Sequence, residues 1–232
     1  MVTRAFVAES MHQNTCPSVA ALLLFKQVLQ DVDMKIILAS ESPRRKRLLE
    51  QLGLSFDVVP SNADEDVDES DPVKLVQQLA ELKAKTVASK ADDDAIVIAA
   101  DTIVFFGGKI FGKPKDADDA RRMLRMFSGK SHKVYTGFCL INKADKSVHS
   151  DFQVTDVEFR ELEPDDIEFC IKVPSTFTGA GSYVPDTWPV LFSGIRGSFT
   201  NILGLPLEKV IPVLRKNGVR LQASAVFRES SL

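Results

Sequence analysis

"LASESPRRKRLLEQLG", residues 38–53, decides how the chain is read. An apolar, strand-like run ends at Leu38 and Ala39, and Ser-Glu-Ser-Pro follows. Ser42 suits a helix N-cap and Pro43 a first helical position: the cap oxygen takes an orphan amide, and the ring has no amide to orphan. Leu48, Leu49 and Leu52 fall on one helical face, and Gly53 is a natural stop. The oddity is Arg44, Arg45, Lys46 and Arg47 in the first turn. A helix N-terminus already carries positive charge, and exposed cations there cost about 0.3–1 kcal/mol each. One reading is a solvated basic face that tolerates the cost. The sharper one is an anion site, with helix amides and guanidiniums aimed at one ligand.

The surrounding pattern supplies a fold class. "KIILA" (35–39) is a short apolar run and reads as a buried strand. "SFDVVP" (55–60) is a second strand ended by proline, and "SNADEDVDESDP" (61–72) is an acidic loop. Residues 72–90 place Val73, Val76, Leu79, Leu82 and Val87 near helical period, with Asp71 as cap and Pro72 first. "AIVIAADTIVFF" (95–106) is β-rich, and Gly107-Gly108 turns it back into "KIF" as a hairpin. A helix over 116–129 has an acidic first turn and a glycine stop. Residues 133–141 and 148–160 read as paired long strands, 164–172 as a short helix and 188–203 as two further strands. A last helix runs from Pro206 to about residue 217. Helices and strands interleave while hairpins exclude an all-parallel sheet. The expected class is α/β, a mixed sheet with flanking helices in two lobes around a cleft.

Composition narrows the function classes. The chain has 232 residues, 44% hydrophobic and 26% charged, as expected of a globular protein with one sizeable core or two lobes. A net charge of −3 argues against general nucleic-acid binding and makes the cluster at 44–47 a local feature. Cys16, Cys139 and Cys170 show no CxxC spacing, so no disulfide framework is expected and a reducing, cytoplasmic setting is. His12, His132 and His149 are scattered, without HExxH or Cys/His zinc spacing. A metal would then be held by carboxylates, which favours Mg2+ or Mn2+. The apolar run "VAALLLF" (19–25) is far short of a membrane span. Residues 1–33 read as an extension, partly helical over 18–30, with Met34 opening the core domain (34–220) and a tail at 221–232.

Several residues could carry chemistry. Asp101 reads as a carboxylate at the end of an apolar strand, either a turn cap or an active-site base or metal ligand. Asp64 and Glu65 lie in the acidic loop and matter only if it folds beside Asp101. Lys113 is held stiff by Pro114. Lys83 and Lys85 face solvent by default. "TGAGSY" (178–183) lacks the third glycine of a dinucleotide fingerprint, no Walker A pattern exists, and no GxSxG elbow exists. "NILGLP" (201–206) reads as structural, launching the last helix. A basic helix start, carboxylates and a few lysines suit a polyphosphate ester bound with a divalent cation.

The ordered series "LASESPRRKRLL", "DE" (64–65), "ELKAK", "AADTIV", "GKP", "ARRMLRMFSGKSHKVYTG", "VTDVEF", "GAGSY" and "GLPLEKV" resembles the Maf family of nucleoside triphosphate pyrophosphatases over residues 34–216. The resemblance implies an elongated α/β fold like that of inosine triphosphate pyrophosphatases, with a nucleotide cleft between two lobes. It implies hydrolysis of a nucleoside triphosphate to the monophosphate and pyrophosphate with Mg2+ or Mn2+. The family's Ser-x-Ser-Pro-x-Arg signature falls on Ser40, Ser42, Pro43 and Arg45. Its aspartate falls on Asp101, its acidic position on Glu65 with Asp64, and its two lysines on Lys83 and Lys113. The implied roles are phosphate charge for Arg45, Lys83 and Lys113, and metal and water for Asp101 and Glu65.

Arg44 and Thr102 are similar to the branch that acts on dTTP and UTP, where the methylated-guanine branch has Trp and Gln. That pyrimidine branch follows its Ala-Gly-x-Tyr with Gly-Ile-Gln-Gly. This chain reads "AGSYVPDTWPV", with Asp186 where the Gln would fall, an acceptor in place of a group that also donates. The rival class is a nucleotide-binding regulator of cell division without turnover. The remaining expectations on partners are no nucleic acid, no membrane, and a homodimer as the assembly to test.

Overall fold

The computed structural model describes residues 34–184 and 187–221. The expectations for residues 1–33, for Asp186 and for the end of the tail lie outside them. In chain order the elements are β1 (Ile36–Leu38), α1 (Pro43–Gln51), β2 (Asp57–Val58), α2 (Pro72–Ala88), β3 (Ile96–Phe106), β4 (Lys109–Phe111), α3 (Ala117–Phe127), β5 (Ser131–Asn142), β6 (Ser147–Phe159), α4 (Pro164–Lys172), α5 (Trp188–Leu191), β7 (Phe192–Arg196), α6 (Phe199–Ile202) and α7 (Leu207–Lys216). The mixed α/β class expected from the sequence is the one observed. One expectation fails: residues 188–203 hold a single strand, β7, between two one-turn helices, not two strands. Ser198 caps the second of these helices by accepting from the Asn201 amide, local chemistry that favours a turn over a strand.

The sheet has seven strands in the order β2-β1-β3-β5-β6-β7, with β4 added on β3. β5 pairs antiparallel with β3 from Ile96 to Phe105, which fills one edge of β3. The other edge is shared: β1 pairs in parallel with Ile96–Ile98, and β4 pairs antiparallel with Val104–Phe106. Among the described residues, Ala99 to Ile103 have no ladder partner on that edge. Here β1 turns away through Ser40 into α1 and leaves a notch in the sheet, the kind of strand-order break where α/β proteins place ligands.

Alternation along β3 gives the notch two chemistries. Val97, Ala99 and Asp101 share one face, and Ile98, Ala100, Thr102 and Val104 the other. α2 covers the first face, packing Ala80, Ala84 and Val87 against Val97, Ala99, Cys139 and Ile141. The second face packs Val104, Val134 and Val157 against Met123, Leu124 and Phe127 of α3 and Ile167 and Cys170 of α4. Two cores therefore share one sheet, and the notch opens between them.

α2 forms where the pattern predicted it. Asp71 caps it by accepting from Val73 and Lys74 amides at 2.8 and 3.0 Å. Its buried face is Val76, Leu79, Ala80, Lys83, Ala84 and Val87, spaced as a helical stripe. Each large apolar residue on that stripe contributes about 1.5–3 kcal/mol on full burial. Gly137 on β5, cross-strand from Asp101, sets how close α2 comes: a Cβ there would stand 2.3 Å from the Val76 carbonyl oxygen. Glycine alone allows that approach.

Candidate active site

The notch opens into a cleft of about 610 Å3. Ser40, Ser42, Arg44, Arg45, Glu65, Lys83, Asp101, Thr102 and Lys113 all line it. They come from four places in the chain: the start of α1, the acidic loop, α2, and β3 with the segment after β4. Asp64 is not in this lining; its carboxylate accepts the Asp66 amide and shapes the loop that presents Glu65.

The carboxylate side is built on α2 and β3. Lys83 sits on the buried stripe of α2, above the β3 face that carries Asp101. Its ammonium donates to Asp101 Oδ1 at 2.6 Å and lies 2.8 Å from Glu65 Oε2. The Lys83 and Asp101 side chains are 11% and 13% exposed, whereas Glu65 is half exposed. The default expectation of a solvent-facing Lys83 is overturned, because a lysine on a buried stripe is tolerated when carboxylates pair it. Lys85, by contrast, is exposed and pairs with Glu81 one turn away. Asp101 is also not at a strand end: it is in the middle of β3, and what ends there is the neighbouring β1.

The cationic side is built on α1. Ser42 caps the helix, Pro43 follows, and Gly53 ends it at φ +68°. Arg45 is half-buried and donates three times: Nε to the Gly204 carbonyl at 2.8 Å, one terminal nitrogen to Ser40 Oγ at 3.1 Å and the other to Thr102 Oγ1 at 3.1 Å. Burial lowers its pKa and Asp101 opposes that shift, but an arginine stays charged. Two N–H groups of the fork are left for a ligand. Arg44 reaches across the cleft to the Thr178 hydroxyl and carbonyl, both at 3.0 Å. Lys46 and Arg47 are exposed, and Lys46 approaches Glu50 at 3.8 Å. The basic cluster therefore divides: its first half turns into the cleft and its second half is a solvated face.

Further residues of the cleft carry no signal that sequence reasoning used. Gly204, read as structural, has φ +98°, and its carbonyl receives Arg45. Tyr183 lines the cleft and is hydrogen-bonded through its hydroxyl to His132 Nε2 at 3.0 Å. Burial pushes that imidazole down to about 4 and raises the Tyr183 phenol, so both are neutral near pH 7. The positive φ of Gly204 is legible only as a glycine before Leu-Pro, a weak signal.

Asp101 and Glu65 are the carboxylates that could hold a divalent ion. Among the described residues no cluster of three or more His, Cys, Asp or Glu is placed to do so alone. Magnesium commonly takes one or two carboxylates and completes its shell with water and substrate phosphates. Two carboxylates converging on one ammonium, beside an arginine fork, fit that donor set.

The profile of the Maf family, described as Maf-like protein, matches residues 35–217. A dTTP/UTP pyrophosphatase of Thermoanaerobacter sp. (strain X514) is 41% identical over 184 residues, covering 79% of this chain and 96% of that protein. One from Thermosipho africanus (strain TCF52B) is 43% identical over 187 residues, 80% of this chain and 95% of its own. One from Agathobacter rectalis is 41% identical over 201 residues, 80% and 98%. The chain belongs to the Maf family. No helix among the described residues is long and apolar enough to cross a membrane.

Proposed function

We propose that this protein hydrolyses a nucleoside triphosphate, dTTP or UTP, to the monophosphate and pyrophosphate, a role in nucleotide-pool sanitation. The observation that carries the reading is the meeting of Asp101 and Glu65 at one cation, beside the Arg45 fork, inside the cleft of a Maf-family chain. Curated relatives named dTTP/UTP pyrophosphatase support it.

The proposed roles draw support from where these side chains stand. Arg45 offers two N–H groups, and a guanidinium fork matches phosphate oxygens. Lys113, exposed on the cleft lining, adds charge for the leaving pyrophosphate. Asp101 and Glu65 would hold Mg2+ or Mn2+, which when bound neutralises phosphate charge and activates water. In hydrolysis a water oxygen bonds to the α-phosphorus, the bond from that phosphorus to the α–β bridging oxygen breaks, pyrophosphate leaves with that electron pair, and the water gives up a proton. Asp101, which accepts a hydrogen bond from Lys83, would take the water's proton. Arg44 and Thr102 support a pyrimidine base, and a cytoplasmic homodimer of the 34–220 domain belongs to the same proposal. The regulator without turnover gains no support from the relatives' names.

A screen of canonical and methylated nucleoside triphosphates for pyrophosphate release tests this. dTTP or UTP is expected to be turned over fastest. A guanine nucleotide turned over faster overturns the base assignment, and no release from any of them overturns the enzyme.

A further inference from the structure

Arg45 belongs to a closed ring of hydrogen bonds. Its terminal nitrogen donates to Thr102 Oγ1 at 3.1 Å, and Thr102 Oγ1 lies 3.0 Å from Thr136 Oγ1. Thr136 Oγ1 donates to the Asn201 carbonyl at 2.9 Å, and the Gly204 amide donates to that same carbonyl at 2.9 Å. The Gly204 carbonyl then receives Arg45 Nε at 2.8 Å, which closes the ring.

The direction of every link is fixed by counting protons. A carbonyl only accepts, so Thr136 spends its single hydroxyl proton on Asn201. Thr102 must therefore donate to Thr136 and keeps only lone pairs for Arg45. The ring is also anchored. Thr136 and Asn201 are fully buried, and Thr102 faces Thr136 directly across the β3–β5 ladder. The Asn201 amide donates to the Val134 carbonyl and to Thr155 Oγ1, tying the turn to β5 and β6. A side chain at Gly204 would crowd the guanidinium: a Cβ there would lie 3.2 Å from Arg45 Nε and 3.3 Å from Thr102 Oγ1.

We infer that Thr136 and the Asn201–Gly204 turn are positioning residues for the Arg45 guanidinium, acting through Thr102 and the Gly204 carbonyl. A guanidinium held at Nε and at both terminal nitrogens has its plane set before a ligand arrives, so less rotamer freedom is lost on binding phosphate. This rests on the phosphate role proposed for Arg45.

The test is a double-mutant cycle on the full chain, read by calorimetric binding of inorganic tripolyphosphate and by turnover of dTTP or UTP. Thr136→Val, which removes the hydroxyl at nearly constant shape, is expected to weaken tripolyphosphate binding roughly ten-fold. Thr136→Ser should restore it, and in an Arg45→Ala background Thr136→Val should cost nothing more. Thr102→Val breaks the same ring one link earlier and should show the same dependence on Arg45, should Thr136→Val fail to fold. Losses of equal size in both backgrounds, or unchanged binding in Thr136→Val, overturn the inference. Tripolyphosphate that does not bind the wild type overturns the phosphate role of Arg45 and this inference with it. Intact coupling in a protein that turns over no nucleotide overturns the hydrolysis alone.

Discussion

Lys83 Nζ lies 2.6 Å from Asp101 Oδ1, and both side chains are largely withdrawn from water. The same ammonium reaches Glu65, so one lysine keeps two carboxylates together. Removing one partner of a buried pair typically costs 3–5 kcal/mol, roughly, because the other charge is left uncompensated. Glu65 is half exposed, so the lower end applies. Lys83→Met should lower stability by about 3 kcal/mol in denaturant melts. If Asp101 and Glu65 hold a divalent ion, Mg2+ should raise the melting temperature of Lys83→Met more than that of the wild type, since metal binding to the native state is stabilising. Equal shifts would remove these carboxylates from the metal role.

Gly137 makes a separate prediction, because it governs the distance between α2 and the sheet. Alanine there would place its Cβ 2.3 Å from the Val76 carbonyl oxygen, so the helix must move. Overpacking of this kind costs about 1–3 kcal/mol. Lys83 rides on the same helix, two turns on. Gly137→Ala should therefore lower both the melting temperature and kcat, whereas a change in neither would show that α2 adjusts freely.

Much of this was legible in the sequence, for a physical reason. Ser42-Pro43 and Asp71-Pro72 are local capping signals, and local signals survive any tertiary context. The eleven residues of β3 and its two-glycine turn are likewise self-declaring. What could not be read was through-space. Nothing in "ELKAK" says that Lys83 sits on the buried stripe over Asp101; that follows from register between α2 and β3. Nothing in "NILGLP" says that the Gly204 carbonyl meets Arg45, which is 159 residues away. In residues 188–203 the pattern suggests two strands where the fold has one, because short apolar runs fit a strand and a one-turn helix equally well.

His132 makes the fold sensitive to acid. It is 3% exposed, ringed by Phe127, Phe159 and Tyr183, and burial pushes its pKa from 6.5 down to about 4. The imidazolium would carry an N–H on both ring nitrogens, and Nδ1 has no hydrogen-bond partner among the described residues. Between pH 6.5 and 4 the unfolded chain binds the proton and the native one does not. Stability is thus full above pH 6.5 and lost as pH falls toward 4. Between pH 7.5 and pH 5 the loss from this group should be roughly 2 kcal/mol. His132→Gln should flatten that part of the slope in denaturant melts at the two pH values. A slope unchanged by the substitution would assign the acid sensitivity to other groups.

Asp101 faces a cleft whose proposed ligand is a triphosphate, and a carboxylate there repels phosphate unless a cation lies between them. The wild-type chain meets that requirement in part through Lys83, whose charge Asp101 shares with Glu65. Asp101→Asn keeps the shape and removes the charge, and Lys83 retains Glu65, so the fold should survive. If Asp101 takes the water's proton or holds a divalent ion, pyrophosphate release should fall by at least about 100-fold. Nucleotide binding in chelator should persist or tighten, because a repulsive charge has gone. If Asp101 serves only to pair Lys83, a neutral amide oxygen still accepts that hydrogen bond and turnover should change little. The two measurements, pyrophosphate release with Mg2+ and nucleotide affinity in chelator, separate these cases. Retained turnover removes Asp101 from the chemistry. Turnover lost together with chelator-stage binding points to a collapsed cleft, which the melting temperature of the same variant would register.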